Sequence, residues 1–135
     1  MDAQRRPSYR LSRSPTHAPS PLVIKLIVAI KRNPAMSPAE FHRYWRTVHA
    51  EKVRALAATR RYVRRYVQAH TLDSEYAAGE PSYDGTAELW FDSVADKNAF
   101  YSDAQYLAHV RPDEGVFADM TNTRFFVTRE EEVKP

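Results

Sequence analysis

The hydrophobic and polar positions of this chain predict four strands. LVIKLIVAIK, at 22–31, is rich in β-branched residues and apolar on both faces, which is typical of a central strand. The alternating YVRRYVQAHTL, at 62–72, predicts a second strand whose polar and aromatic face carries Tyr66 and His70. TAELWF, at 86–91, predicts a third strand, and TRFFVTREE a fourth near the end of the chain.

Between the first two strands, the pattern predicts a helix from Ser37 to about residue 58. Ser37 is a suitable N-cap, Pro38 fits the first helical position, and Glu40 completes a capping box. At about 100° per residue, His49 falls inside the apolar stripe of this helix. We therefore expect the His49 imidazole to face the sheet.

A second helical region is predicted between the third and fourth strands. It begins at VADKNAFY, where Ser93 and Asp96 form an imperfect capping box. The stretch after it, SDAQYLAHVRPDEGVFADM, is expected to form short helical pieces broken at Pro112 and Gly115. The resulting order, β-α-β-β-α-β, predicts an α+β protomer of ferredoxin-like type.

Composition and charge separate a tail from a single domain. Residues 1–21 contain four arginines, four prolines and one acidic residue, which accounts for the net charge of +3. We expect this basic tail to be disordered and residues 22–135 to form one domain. The tail also resembles a transit peptide in composition, but its prolines oppose an amphipathic helix. Because the remaining chain is electrically balanced, a nucleic-acid partner is not expected.

The chain contains no cysteine, and its longest apolar run is too short to cross a membrane. The absence of cysteine excludes disulfides and thiolate chemistry and favours a cytoplasmic protein. The run at 22–30 is interrupted by Lys25 and is less than half of the roughly 20 residues that a membrane helix needs. We therefore expect no membrane partner.

Three residues are candidates for acid–base chemistry. A histidine on an apolar stripe is either a packed core residue or a proton-exchanging group, so His49 has both interpretations. His109 and Asp113 are four residues apart, and a carboxylate can orient an imidazole. Alternatively, Asp113 caps the helical turn after Pro112 and has no chemical role.

The sequence predicts neither a metal site nor a nucleotide cofactor. His42 and His49 are two helical turns apart, about 10 Å along the axis, which is too far to chelate one ion. The chain has three glycines and no glycine-rich phosphate loop. We expect no cofactor.

Several segments together resemble a known family. MSPAEFHRYWRTVHAEKV, RRYVQAH, YDGTAELWFDS, HVRPDEGVF and RFFVTREEEV are similar to the EthD-domain members of the dimeric α+β barrel superfamily. The resemblance covers about residues 24–133. It implies a homodimer in which two four-stranded sheets close face to face into a barrel, with the helices outside.

The resemblance also implies a function. Small fungal proteins similar to this one act as decarboxylases or dehydratases on aromatic polyketides. Other members of the superfamily are polyketide cyclases, lactone isomerases and cofactor-independent monooxygenases. We therefore expect a cofactor-independent lyase that acts on an aromatic polyketide through an enolate-like state, with His49 as the acid–base group and His109 and Asp113 assisting. An anthrone-type monooxygenase, a polyketide cyclase and a non-catalytic ligand-binding dimer are the alternatives.

Aromatic and polar side chains are the candidates for substrate binding. They could line a flat pocket and position substrate oxygens, although each could also be a core residue, and for Trp45 we favour the core. The face of the second strand that carries Tyr66 and His70 either lines the cavity or meets the partner's sheet. The predicted substrate-binding residues are Tyr44, Tyr66, His70, Trp90 and Phe117.

Overall fold

The computed structural model describes residues 23–135, so the predicted tail at 1–21 lies outside the described residues. Within this part of the chain, the element order confirms the predicted α+β fold. The elements are β1 (Ile24–Ile30), α1 (Pro38–Tyr44), a π-helical segment (Trp45–His49), α2 (Ala50–Ala55), α3 (Ala57–Tyr62), β2 (Val63–His70), a 3₁₀ helix (Asp73–Ala78), β3 (Gly85–Phe91), α4 (Val94–Tyr101), a second π-helical segment (Tyr106–Val110), α5 (Arg111–Phe117) and β4 (Arg124–Thr128).

The four strands form one antiparallel sheet in the order β2-β3-β1-β4, the ferredoxin-like arrangement. β1 is central and pairs with both β3 and β4, which explains why its sequence is apolar on both faces.

One face of the sheet is packed against the helices and the other is not. The alternating residues Leu26, Leu89 and Phe91 are buried under the helical layer, together with Phe41 and Trp45. The opposite face carries residues that pair across the strands, with Lys25 opposite Trp90 and Ile27 opposite Glu88 and Phe126. The Phe126 side chain is 49% exposed in the single chain. A helical layer therefore covers one face. We call the other the open face, which carries Lys25, Ile27, Glu88, Trp90 and Phe126.

The predicted start of the first helix is confirmed, but its continuous course to residue 58 is wrong. The Ser37 side chain accepts a hydrogen bond from the Glu40 N–H at 3.1 Å, and the Glu40 carboxylate accepts one from the Ser37 N–H at 2.8 Å. The helix is interrupted at Leu56, whose ψ is 135°. Leu56 is buried, and the Val53 carbonyl accepts hydrogen bonds from the Leu56 N–H at 3.2 Å and from the Thr59 hydroxyl at 2.6 Å, so packing and local hydrogen bonds compensate the break. No glycine or proline marks it.

The predicted breaks at Pro112 and Gly115 do not occur. Pro112 lies in the first turn of α5, and Gly115 lies inside that helix. Just before the proline, the Arg111 N–H bonds to the Tyr106 carbonyl five residues back. This wider π-type turn accommodates a proline ring that would clash in a regular α-helix. At the start of α4, Ser93 caps the Asp96 N–H as predicted.

Candidate active site

The first π-helical segment places His49 between the helical layer and the sheet. Trp45, at the start of the segment, is fully buried, and His49, at its end, is 6% exposed. π-Helical turns in proteins frequently occur at functional sites because they redirect side chains that a regular helix would place elsewhere. The predicted burial of His49 on the apolar face is confirmed.

The His49 imidazole is paired with Asp113 of α5. His49 Nδ1 lies 2.8 Å from Asp113 Oδ2, and both side chains are buried. Since a carboxylate accepts hydrogen bonds, Nδ1 carries the proton of the neutral ring. His49 Nε2 has no hydrogen-bond partner among residues 23–135, so its lone pair is available to a bound molecule.

Two further groups position the Asp113 carboxylate. The Tyr44 hydroxyl donates to Oδ1 at 2.5 Å, and Lys52 Nζ lies 3.9 Å from the same oxygen. Burial, together with the hydrogen bond to Asp113, raises the pKa of Tyr44 to about 12, so Tyr44 stays a donor at neutral pH. Asp113 therefore has a fixed orientation toward His49.

The environment keeps His49 neutral at physiological pH. Burial lowers the pKa of His49, although the hydrogen bond and the negative charge of Asp113 partly oppose this effect. A neutral imidazole with a protonated Nδ1 and a free Nε2 is suited to accept a proton, and Asp113 would stabilise the imidazolium that forms.

A cavity adjoins His49 between the helical layer and the sheet. Its empty space is about 520 Å³, including its open mouth, and its lining is mainly apolar and aromatic. Phe117 forms one wall, with its ring centroid 4.6 Å from that of His49. Tyr66 and Tyr101 line the same cavity.

Glu114, which sequence analysis did not select, also lines this cavity. Its Oε2 accepts a hydrogen bond from the Tyr106 hydroxyl at 2.5 Å, and its buried Oε1 has no hydrogen-bond partner in the described chain. Arg111 Nε lies 3.4 Å from Oε1 but lacks hydrogen-bond geometry. Burial raises the pKa of Glu114, so this carboxyl group holds a proton more readily than an exposed one. The only feature of the sequence that pointed to Glu114 as a site residue was its position next to Asp113.

The expected pair of His109 and Asp113 does not form. His109 is exposed on the second π-helical segment, whereas the Asp113 carboxylate is turned inward to His49 and Tyr44. The π-type turn between residues 106 and 111 removes the regular helical spacing on which the expectation depended.

The predicted substrate-binding residues divide into three groups. Tyr66 and Phe117 line the cavity. Tyr44 and His70 lie behind it, because Tyr44 holds Asp113 and His70 packs on the Trp45 indole at a centroid distance of 4.4 Å. Trp90 is not brought to the cavity: it lies on the open face, where its indole N–H donates to Glu130 at 2.9 Å. The face of β2 with Tyr66 and His70 therefore meets the helical layer.

A second group of polar residues lies behind Trp45. His42 Nδ1 is 2.7 Å from His70 Nδ1, and His42 Nε2 is 3.0 Å from the Tyr76 hydroxyl. Tyr76 in turn donates to the fully buried Asp84 at 2.6 Å. Burial lowers the pKa of His42, and burial together with the adjacent His42 lowers the pKa of His70 to about 4. The sequence analysis considered His42 only as a metal ligand, which it excluded, and it gave no signal for Tyr76 or Asp84.

The EthD domain model matches residues 33–121, well over half of the chain. The chain belongs to the EthD family. No curated protein matches the sequence significantly.

This EthD protein is also similar to solved structures. A dimeric protein of ferredoxin-like fold from Bacteroides fragilis is 15% identical, with a TM-score of 0.60 over 80% of this chain and 96% of that one. The cofactor-independent oxygenase SnoaB from Streptomyces nogalater is 10% identical, with a TM-score of 0.57 over 84% and 98% of the two chains. Hydroxynitrile lyase from Passiflora edulis is 13% identical, with a TM-score of 0.55 over 85% and 99%. At these identities the comparison shows the fold, which is shared by enzymes of different reaction classes.

Two features are absent from residues 23–135 of this EthD protein. No helix in this part of the chain is long and apolar enough to cross a membrane. Within the same residues, no three histidine, aspartate or glutamate side chains are grouped closely enough to bind a metal ion.

Proposed function

We propose that this EthD protein is a cofactor-independent lyase that removes carbon dioxide or water from an aromatic polyketide intermediate, with His49 as the acid–base group. The observation that carries the proposal is the buried His49–Asp113 pair, which leaves Nε2 free in the wall of an apolar cavity. A positioned acid–base group of this kind typically contributes about 10² to 10⁴ in rate.

In decarboxylation, neutral His49 first takes the proton of the substrate's carboxylic acid at Nε2, and Asp113 stabilises the imidazolium that forms. The bond between the ring carbon and the carboxylate then breaks, carbon dioxide leaves, and the electron pair passes onto a neighbouring carbonyl oxygen as an enolate. The His49 Nε2–H finally returns the proton to the carbon.

In dehydration, neutral His49 takes the proton from the carbon next to the carbonyl, and the resulting enolate expels the hydroxyl group. The leaving oxygen must be protonated to depart as water, and Glu114 is our candidate donor because burial raises its pKa within the same cavity. Both reactions use His49 as the group that transfers the proton.

The substrate class is proposed from the cavity walls. Phe117, Tyr66 and Tyr101 offer aromatic surfaces for a flat ring system, and the cavity, about 50 Å³ where it is enclosed, widens to about 520 Å³ with its open mouth. An anthrone carboxylic acid combines a flat ring system, a carbonyl group and a removable carboxylate, so we propose this chemical class as the first substrate to test.

A monooxygenase is the second candidate, because SnoaB, a structural neighbour of this chain, is a cofactor-independent oxygenase. The enolate would then react with dioxygen instead of a proton. Oxygen consumption at a one-to-one ratio with substrate would favour this function, and carbon dioxide release without oxygen consumption would favour the lyase. A polyketide cyclase would instead form a new ring. A non-catalytic ligand-binding dimer would bind the acid and leave it unchanged by mass spectrometry.

We further propose a homodimer formed through the open face of the sheet. A structural neighbour from Bacteroides fragilis is described as dimeric, and the open face exposes about half of the Phe126 side chain. Two copies packed through this face would cover it.

The catalytic proposal is tested by His49→Ala. We expect turnover of an anthrone carboxylic acid to fall at least roughly tenfold, with an unchanged circular dichroism spectrum. His109→Ala is the matched variant, because His109 is exposed and unpaired with Asp113, and it should keep turnover within about twofold. Near-normal turnover of His49→Ala would reject the role of His49.

A further inference from the structure

Tyr66 lines the cavity, and its hydroxyl oxygen accepts a hydrogen bond from Gln68. Gln68 Nε2 donates to the Tyr66 oxygen at 2.9 Å. The Tyr66 proton has no acceptor among residues 23–135. Burial raises the pKa of Tyr66, although hydrogen bonds from Gln68 and Trp45 oppose this effect, so the phenol is protonated at neutral pH. Its proton is therefore available to a molecule in the cavity.

The direction of the Gln68 amide is fixed by a backbone carbonyl. Gln68 Nε2 also lies 3.0 Å from the Trp45 carbonyl oxygen. A carbonyl accepts but does not donate, so the amide nitrogen, not the amide oxygen, must face Trp45 and Tyr66. Turning the amide over would bring two acceptors together and would leave the Tyr66 oxygen without a donor.

The imidazole of His70 holds the other end of the same amide. Gln68 Oε1 lies 2.8 Å from His70 Nε2, and since Oε1 accepts, the proton is on His70 Nε2. In the neutral ring, His70 Nδ1 is then an acceptor. The carbonyl of Trp45 thus determines the tautomer of His70.

We propose that Tyr66 donates a hydrogen bond to a carbonyl or enolate oxygen of the molecule bound beside His49, and that Gln68 and His70 are positioning residues that hold it in this role. The proposal rests on the proposed function, because it supplies the oxyanion donor that an enolate-like state requires. It also selects the ligand class: a flat molecule with a carbonyl oxygen on the side of β2.

The first test measures binding, which needs no turnover. Anthraquinone-2-carboxylate, a flat carbonyl compound, is titrated into the full chain at pH 7.5 by isothermal calorimetry. We expect Tyr66→Phe and Gln68→Leu to weaken binding about five- to tenfold. Tyr66→Phe removes a neutral hydrogen bond to the ligand, and Gln68→Leu removes the hydrogen bond that holds the Tyr66 hydroxyl. Tyr83→Phe is the matched control, because Tyr83 is exposed and remote from the cavity lining.

The second test measures the tautomer of His70 directly. Long-range ¹H–¹⁵N NMR of the full chain at pH 7.5 should show His70 protonated at Nε2. Gln68→Glu keeps an acceptor for His70 but offers carboxylate oxygens to the Tyr66 proton. It should therefore preserve the His70 tautomer and still weaken ligand binding.

The outcomes separate the proposed donor role of Tyr66 from the proposed lyase function. Equal affinity of Tyr66→Phe and the wild type, no binding to the wild type, or a His70 ring protonated at Nδ1 would overturn the donor role. Weakening by Tyr66→Phe but not by Gln68→Leu would overturn the positioning chain. A protein that shows the expected binding and tautomer but no turnover dependence on His49 would refute the lyase proposal alone.

Discussion

At the scale of single residues, two adjacent carboxyl groups of one helix have different environments. Asp113 accepts hydrogen bonds from His49 and Tyr44, which hold it as a partner for an imidazolium. Glu114 receives one hydrogen bond, its other oxygen is buried without a hydrogen-bond partner in the described chain, and burial raises its pKa. The two neighbouring carboxyl groups therefore differ in how readily they hold a proton.

The pH dependence of turnover follows from His49. Because its pKa is lowered, the neutral base persists below pH 6.5, and kcat/KM should fall only as acid protonates Nε2. Asp113→Asn removes the negative charge that raises this pKa. We expect the acidic limb of the profile to move to lower pH and the plateau to fall at least roughly tenfold, because the imidazolium loses its partner.

This prediction is checked by pH–rate profiles of the wild type and Asp113→Asn. Asp96→Asn makes the same chemical change in α4 and should leave the profile in place. An acidic limb that moves to higher pH in Asp113→Asn would contradict the assigned pairing.

At the scale of elements, the site depends on the contact between the first π-helical segment and the start of β3. Gly85 opens β3 directly beneath the Trp45 indole. A Cβ atom at this position would lie 2.5 Å from the Ala69 carbonyl oxygen and 2.6 Å from the Trp45 ring. Glycine is therefore required here by close approach. This contact sets the distance between the segment that carries His49 and the sheet.

Gly85→Ala should destabilise the protein by about 1–3 kcal/mol, because the added methyl group overpacks a site bounded by backbone. Urea unfolding at fixed protein concentration measures the free energy of unfolding. Gly115→Ala is the matched control: nothing lies within 4 Å of its Cβ position, and an alanine inside α5 should stabilise the helix by about 0.5–1 kcal/mol. Equal effects of the two substitutions would refute the packing argument.

At the scale of the whole molecule, the candidate site and the proposed dimer interface lie on opposite faces of the sheet. The helical layer and the covered face enclose the candidate site, whereas the open face carries Trp90, Glu88 and Phe126. Lys25 forms an ion pair with Glu88 at 3.0 Å, and its ammonium group lies 4.9 Å from the Trp90 ring centroid. The open face is thus organised but uncovered in the single chain.

Phe126→Asp should convert the proposed dimer into monomers, because it would bury an unpaired carboxylate in the interface. Light scattering after size-exclusion chromatography measures the mass of the particle. Leu107→Asp is the matched control: this side chain is 44% exposed but lies in the helical layer, so the dimer should persist. A monomeric wild type, or a dimeric Phe126→Asp, would overturn the proposed interface.

Local patterns were enough to predict the strands, the Ser37 cap and the buried position of His49. Each of these depends on residues within a few positions of one another, such as the alternation in β2 and β3 or the capping box of α1. The interruptions escaped prediction because they have tertiary causes. The interruption at Leu56 is stabilised by burial of the Leu56 side chain. The helix continues through Pro112 because a wider π-type turn precedes the proline.

The sequence by itself determined the order of elements and which side chains share a strand face, because alternation and helical periodicity are properties of the backbone. Only the tertiary structure decided which face the helices cover, and with it that Tyr66 meets the cavity while Trp90 does not. It also decided that the partner of Asp113 is His49, 64 residues away, and not His109 four residues away. Such pairings depend on how helices pack across a sheet. Periodicity along the chain carries no information about contacts between residues that are far apart in the sequence.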